Sequence, residues 1–141
     1  MTTSSAIAGI GAEIQRGDST SSETFTALAE VSNISGPNIS RDTIDVTTLG
    51  STSGYREFIG GFRDGGEVVL DMNWTLAGFN LLKIDFDANT TRNYRILMPN
   101  TAASTFTFAC VVTNITKNIP TDDKITMTAT LKIDGAITLA S

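Results

Sequence analysis

Histidine is missing from all 141 residues. That removes the commonest general base near neutral pH, most zinc sites and the usual serine or cysteine nucleophile arrangements. The only cysteine, Cys110, cannot form an internal disulfide, and its place inside the apolar run from Phe106 to Val112 marks it as a small buried hydrophobe. No run approaches the ~20 apolar residues of a membrane-spanning helix, and Met1 to Ser5 is polar and uncharged, unlike a signal peptide. No membrane partner is expected, and synthesis in a reducing cytoplasm is. Basic residues are few: 10 Lys plus Arg stand against 15 Asp plus Glu, a net charge of -5. A basic face that would hold DNA phosphates is not expected on such a chain.

Carboxylate pairs do occur, at Asp85 with Asp87, Asp122 with Asp123, and Glu67 with Asp71. Such pairs can carry acid–base chemistry, but each has a plainer setting: a helix end, a polar turn after Pro120, and one face of a strand. No GKS or GKT follows the glycine pairs, and no run of alternating acidic ligands closes on a glutamate. No catalytic, cofactor-binding or metal-binding residue is therefore expected.

What the chain does have is 40% hydrophobic residues with 18% charged ones, enough for one packed domain at this length. Serine and threonine make up roughly a quarter of it, mixed with Val, Ile and Phe, a composition that favours strands. Strands are expected over Gly9 to Gly17, Phe25 to Ile34, from Ser40 with Ile44 and Val46 on one face, and from Glu67. In that last strand Val68, Leu70, Met72 and Trp74 point one way, with Glu67, Asp71 and Asn73 on the other. Leu76, Phe79 and Leu82 have helical spacing, which predicts one helix within Leu76 to Ala88. Three more strands follow: Arg92 to Met98, Thr105 to Ile115 with a phase change between Ala109 and Val112 that suggests a bulge, and Lys124 to Asp134.

Between these elements, Thr48 to Asp64 reads as a long arm or hairpin, because glycines at 50, 54, 60 and 61 interrupt any core periodicity. Tyr55, Phe58, Ile59 and Phe62 within it are large apolar groups that a solvated loop has no use for, so the arm wants a partner surface.

The wording of the middle of the chain is specific. Gly36, Pro37, Ser40, Asp42, Ile44, Asp45, Thr47, Thr48, Leu49 and Ser51 resemble a segment typical of siphophage major tail tube proteins of the lambda-like type. Tyr55, Arg56, Glu57, Phe58, Ile59, Gly61, Asp64, Gly65, Gly66 and Glu67 continue in that family's order, as do Pro120, Asp122, Asp123 and Lys124 before the final strand. The likeness runs from about Val31 to Gly135. It implies a mainly β domain, a β-sandwich or barrel with one flanking α-helix and an extended hairpin arm at about 48–63. It also implies a virion structural protein whose hexameric rings stack into a conduit for DNA ejection. The partners implied are further copies of itself and the tail terminator, tape measure and tail-tip proteins, with DNA passing through the lumen without specific binding. Some members carry an added immunoglobulin-like domain; with the last residue at Ser141, none is expected here.

Two other readings stay open at this point. One is a carbohydrate-binding or adhesin-like β-sandwich, suggested by the Ser- and Thr-rich strands. The other is a head–tail joining or decoration protein. On the tube reading, Glu67 and Asp71 are the candidate lumen-lining residues, with Thr126, Thr128, Thr130 and Lys132 of the last strand as the competing polar face.

Overall fold

The strict alternation of the final strand fixes the core. In the computed structural model, which describes residues 4–51 and 54–140, Met127, Ala129, Leu131 and Ile133 are all buried on one side of β9 (Thr126–Ala140). Beside it lies β6 (Glu67–Asn73), whose Val68, Leu70 and Met72 are equally buried. On its other edge runs β8 (Thr105–Asn118), contributing Phe108, Cys110 and Val112. The thiol of Cys110 is raised to about 12, first by desolvation and then by the charge of Asp85.

With β1 (Glu13–Gly17), β2 (Phe25–Ala27), β3 (Val31–Ser35) and β7 (Arg92–Leu97), these strands form one antiparallel seven-stranded sheet in the order β2-β1-β7-β8-β9-β6-β3. Register shifts at Thr107/Ala109 and Val112/Asn114 bend the long β8–β9 ladder, and the second lies beside the expected phase change. The run Phe25 to Ile34, expected as one strand, is two. Glu30 adopts a left-handed φ of 65° that breaks it, so its first part pairs with β1 and its second with β6. That run thereby joins the two edges of the sheet.

One helix, α1 (Leu76–Asp87), opens on Thr75, whose side chain accepts a 3.1 Å hydrogen bond from the Gly78 amide as an N-cap. It packs on β8 and buries Leu82, with Phe79 half-buried, while Leu76, the first residue of the expected spacing, is exposed, as are Ile84 and Phe86.

The strand from Ser40 stands apart from the sheet. β4 (Ser40–Asp45) is exposed along its whole length and pairs only with β5 (Phe58–Asp64), in a separate two-stranded ribbon. Ile44 mimics core patterning in the sequence, yet it is half exposed to water. The arm is thus a hairpin that begins at Ser40 instead of Thr48; positions 52 and 53 within its tip lie outside the described residues.

Candidate assembly surfaces

The hairpin extends the β3–β6 pair outward, since Ser35 opposes Val69 on one side of the junction and Ser40 opposes Asp64 on the other. Gly66 makes the junction possible. Its φ is +74°, and a Cβ there would overlap the Asn38 carbonyl oxygen, so only glycine fits without shifting the arm. The base is tied to the body in three ways. The Gly66 amide donates to Asp64 Oδ1 at 2.8 Å, Lys132 Nζ lies 3.1 Å from the same atom, and the Ile133 amide donates to the Gly66 carbonyl at 3.0 Å. The Gly66 hydrogen bond, then Lys132, hold the Asp64 carboxyl below its ordinary range.

Beyond its base the ribbon carries its own ladder, and past the strands the Val46 amide still donates to Glu57 O at 2.9 Å. The arm residues expected to seek a partner are all wet: Tyr55, Phe58, Ile59 and Phe62 are 76%, 54%, 53% and 91% exposed. Ile44, Val46 and Leu49, which the sequence reading left out of that set, join them. Two-stranded ribbons of this kind are marginal in water without a covering surface.

The second surface is the outer face of the β6–β9–β8 ladder. The two candidate lumen faces prove to be one. Glu67 stands opposite Lys132, Asp71 opposite Thr128 and Asn73 opposite Thr126. On β8, Asn114, Thr116 and Asn118 stand opposite Thr130, Thr128 and Thr126. Thr128 Oγ1 donates to Asp71 Oδ1 at 3.0 Å, and Asn33 Nδ2 reaches Asp71 Oδ2 at 3.3 Å, so the Asp71 carboxylate is fixed in place. Glu67 is exposed, and the ammonium opposite it turns to Asp64. Hydroxyl, amide and carboxylate groups therefore tile this face, broken by Val69 and Val111.

A third cluster gathers around Asp85. Asp85, expected simply at a helix end, is 3% exposed. Arg16 grips it with both prongs, Nε to Oδ2 at 2.7 Å and Nη2 to Oδ1 at 2.8 Å, and the Tyr94 hydroxyl donates to Oδ2. Arg92 Nε lies 2.5 Å from Oδ1, close enough for an ion pair but poorly aligned for a hydrogen bond. Burial pushes the Asp85 carboxyl up, but the hydrogen bonds of Arg16 and Tyr94 and the charges of Arg16 and Arg92 outweigh it and leave it lowered. Desolvation and the adjacent Asp85 raise the Tyr94 phenol far above its normal value. The cluster pins α1 to β1 and β7. Among the described residues no group of three metal-ligating side chains converges.

A family model described as lambda phage tail tube protein matches residues 12–140. Comparison with curated proteins finds no sequence match. Among solved structures, the chain is similar to a protein in the tail of an empty gene transfer agent particle refined with C6 symmetry. The TM-score is 0.76 at 21% identity, over 96% of this chain and all of that one. A chain from the virion of a native gene transfer agent superposes with a TM-score of 0.74 at 18% identity, over 96% and 100%. A chain of the anti-feeding prophage tube-terminating cap gives 0.73 at 16%, over 100% and 95%. At these identities the likeness is one of fold.

Proposed function

The chain belongs to the lambda phage tail tube protein family and is a structural subunit of a virion tail, and from that premise we propose how it builds the tube. Six copies close into a ring, rings stack, and the polar β6–β9–β8 face lines the bore through which DNA leaves. The observation that carries this reading is the pairing of a polar, hydroxyl-rich sheet face with an apolar arm. The first suits a conduit and the second suits a neighbour. Ring closure would also cover the free edges of β2 and β3.

On this reading the role is structural and not catalytic, and assembly takes place in the host cytoplasm. The tail terminator, tape measure and tail-tip proteins cap and template the stack. Glu67 and Asp71 face the bore, where fixed negative charge repels phosphates and threonine hydroxyls offer only weak, exchangeable hydrogen bonds. Six copies at -5 each carry about -30 per ring, part of it facing inward.

The test is Glu67→Lys with Asp71→Lys in an assembled particle. Rings and tubes should form, and DNA ejection should slow or stall at low salt and recover as salt screens the new phosphate contacts. Normal ejection at low salt through tubes of normal appearance would remove both residues from the channel wall.

A further inference from the structure

The crook between the hairpin and the body is a cleft of about 650 Å³. Ile39, Phe62 and Ile137 give it an apolar wall, and two guanidinium side chains stand at its rim. Arg41 and Arg63 are directly opposed across the ribbon, an arrangement that repels. Arg41 lies across Gly60 and donates from Nε to Gly61 O at 3.3 Å. Among the described residues neither arginine has a carboxylate within ion-pair distance, although Arg16, Arg56 and Arg92 each have one. Two guanidinium side chains without carboxylate partners beside an exposed apolar wall call for an acidic, partly apolar occupant.

The chain displays one at its other end. The loop between β8 and β9 carries Ile119 at 66% and Ile125 at 40% exposure on either side of Asp122 and Asp123. Both carboxylates are exposed and unmatched by a basic group among the described residues; the Lys124 amide donates to Asp123 Oδ1 at 2.7 Å. Position decides the geometry. Glu67 and Lys132 mark the crook end of the β6–β9 ladder, and Asn73 and Thr126 mark the loop end. Along a strand, Thr126 to Ile133 spans roughly 24 Å. The arginine crook and the acidic loop therefore sit at opposite ends of one ladder, too far apart to meet within a subunit.

We propose that the Ile119–Ile125 loop of a second copy seats in the arginine crook, with Asp122 and Asp123 neutralising Arg41 and Arg63 while Ile119 and Ile125 cover Phe62 and Ile39. This deepens the tube reading and rests on it. A contact between unlike ends is heterologous, and when it joins opposite ends of a subunit along one axis it repeats as an open stack, which is what ring stacking requires.

The test swaps the charges in the full chain. Asp122→Lys with Asp123→Lys should leave rings intact by light scattering and raise the concentration needed for tubes at least about tenfold. Adding Arg41→Glu and Arg63→Glu to the same chain should restore stacking. Independently, a subunit carrying Arg63→Cys and Asp122→Cys should give a ladder of covalent multimers on oxidation of tubes, with neither single variant doing so; buried Cys110 does not interfere. Stacking unaffected by the first pair, failure of the four-residue swap to restore it, or no ladder from the cysteine pair would overturn the contact while leaving ring formation and the tube reading standing. A wild-type protein that makes neither rings nor tubes would overturn both.

Discussion

Replacing Phe58 and Phe62 with serine separates the arm's role in assembly from any role in folding. The two rings are 54% and 91% exposed in the single subunit. With roughly 200 Å² per phenylalanine side chain, they leave about 300 Å² of aromatic surface in water. At ~25 cal/mol per Å², complete coverage by neighbours contributes at most ~7 kcal/mol per subunit, before the entropy lost on association and side-chain ordering is subtracted. Even a third of that, multiplied around a ring, decides whether tubes form at a given concentration. In the isolated subunit the same rings touch little, so their loss should change stability by about 0.5 kcal/mol or less. Thermal melting of the double variant should thus stay within about 3 °C of the parent, while sedimentation shows no tubes where the parent forms them. A variant that unfolds as a monomer would place the arm in the core, and one that polymerises at the parent's concentration would show that the arm's aromatics are not the contact.

Two further perturbations bear on the parts that hold the surfaces in place. Asp85→Asn leaves Arg16 and Arg92 facing each other without their carboxylate and should cost about 3 kcal/mol, read as a melting point lower by roughly 10 °C. Because the folded-state value of Asp85 is lowered, its contribution is fully present above the ordinary carboxylate value near ~4 and drains away as pH falls through the folded value. The gap between parent and Asp85→Asn should therefore narrow in acid, and a gap constant down to the acid transition would deny the ion pair its role. Gly66→Ala should displace the hairpin base from Asn38 and raise the concentration needed for tubes, with the body still melting cooperatively; unchanged assembly would mean that the arm's orientation is unimportant.

Much of this architecture is legible in the sequence because burial on one face leaves a period of two. Val68, Leu70 and Met72, and Met127 to Ile133, are read directly from that alternation, and the helix from the spacing of Leu76, Phe79 and Leu82, of which Leu76 is exposed at the first turn. The failures share a cause, which is that neighbours distant along the chain decide the outcome. Asp85 looks no different from Asp87, yet Arg16, 69 positions away, turns it inward. The break at Glu30 carries no glycine or proline to announce it, since pairing with two different strands imposes the turn. Ile44 and Val46 alternate as a core strand does, yet the ribbon that carries them pairs only with itself and leaves both exposed. That Glu67 and Thr128 share a face followed only from the β6–β9 register; each strand alone has a polar side without a direction.

On the proposed reading this subunit closes and stacks into a tube with its β6–β9–β8 polar face inside. Helical reconstruction of tubes grown from the purified full-length protein tests it most directly. Six-fold rings are expected, with the Ser40–Asp64 hairpin clasped between subunits and Glu67, Asp71 and Thr128 at the wall of the bore. Tubes with that face outside, or a protein that remains a monomer at every concentration even with tail-tip initiators present, would contradict it.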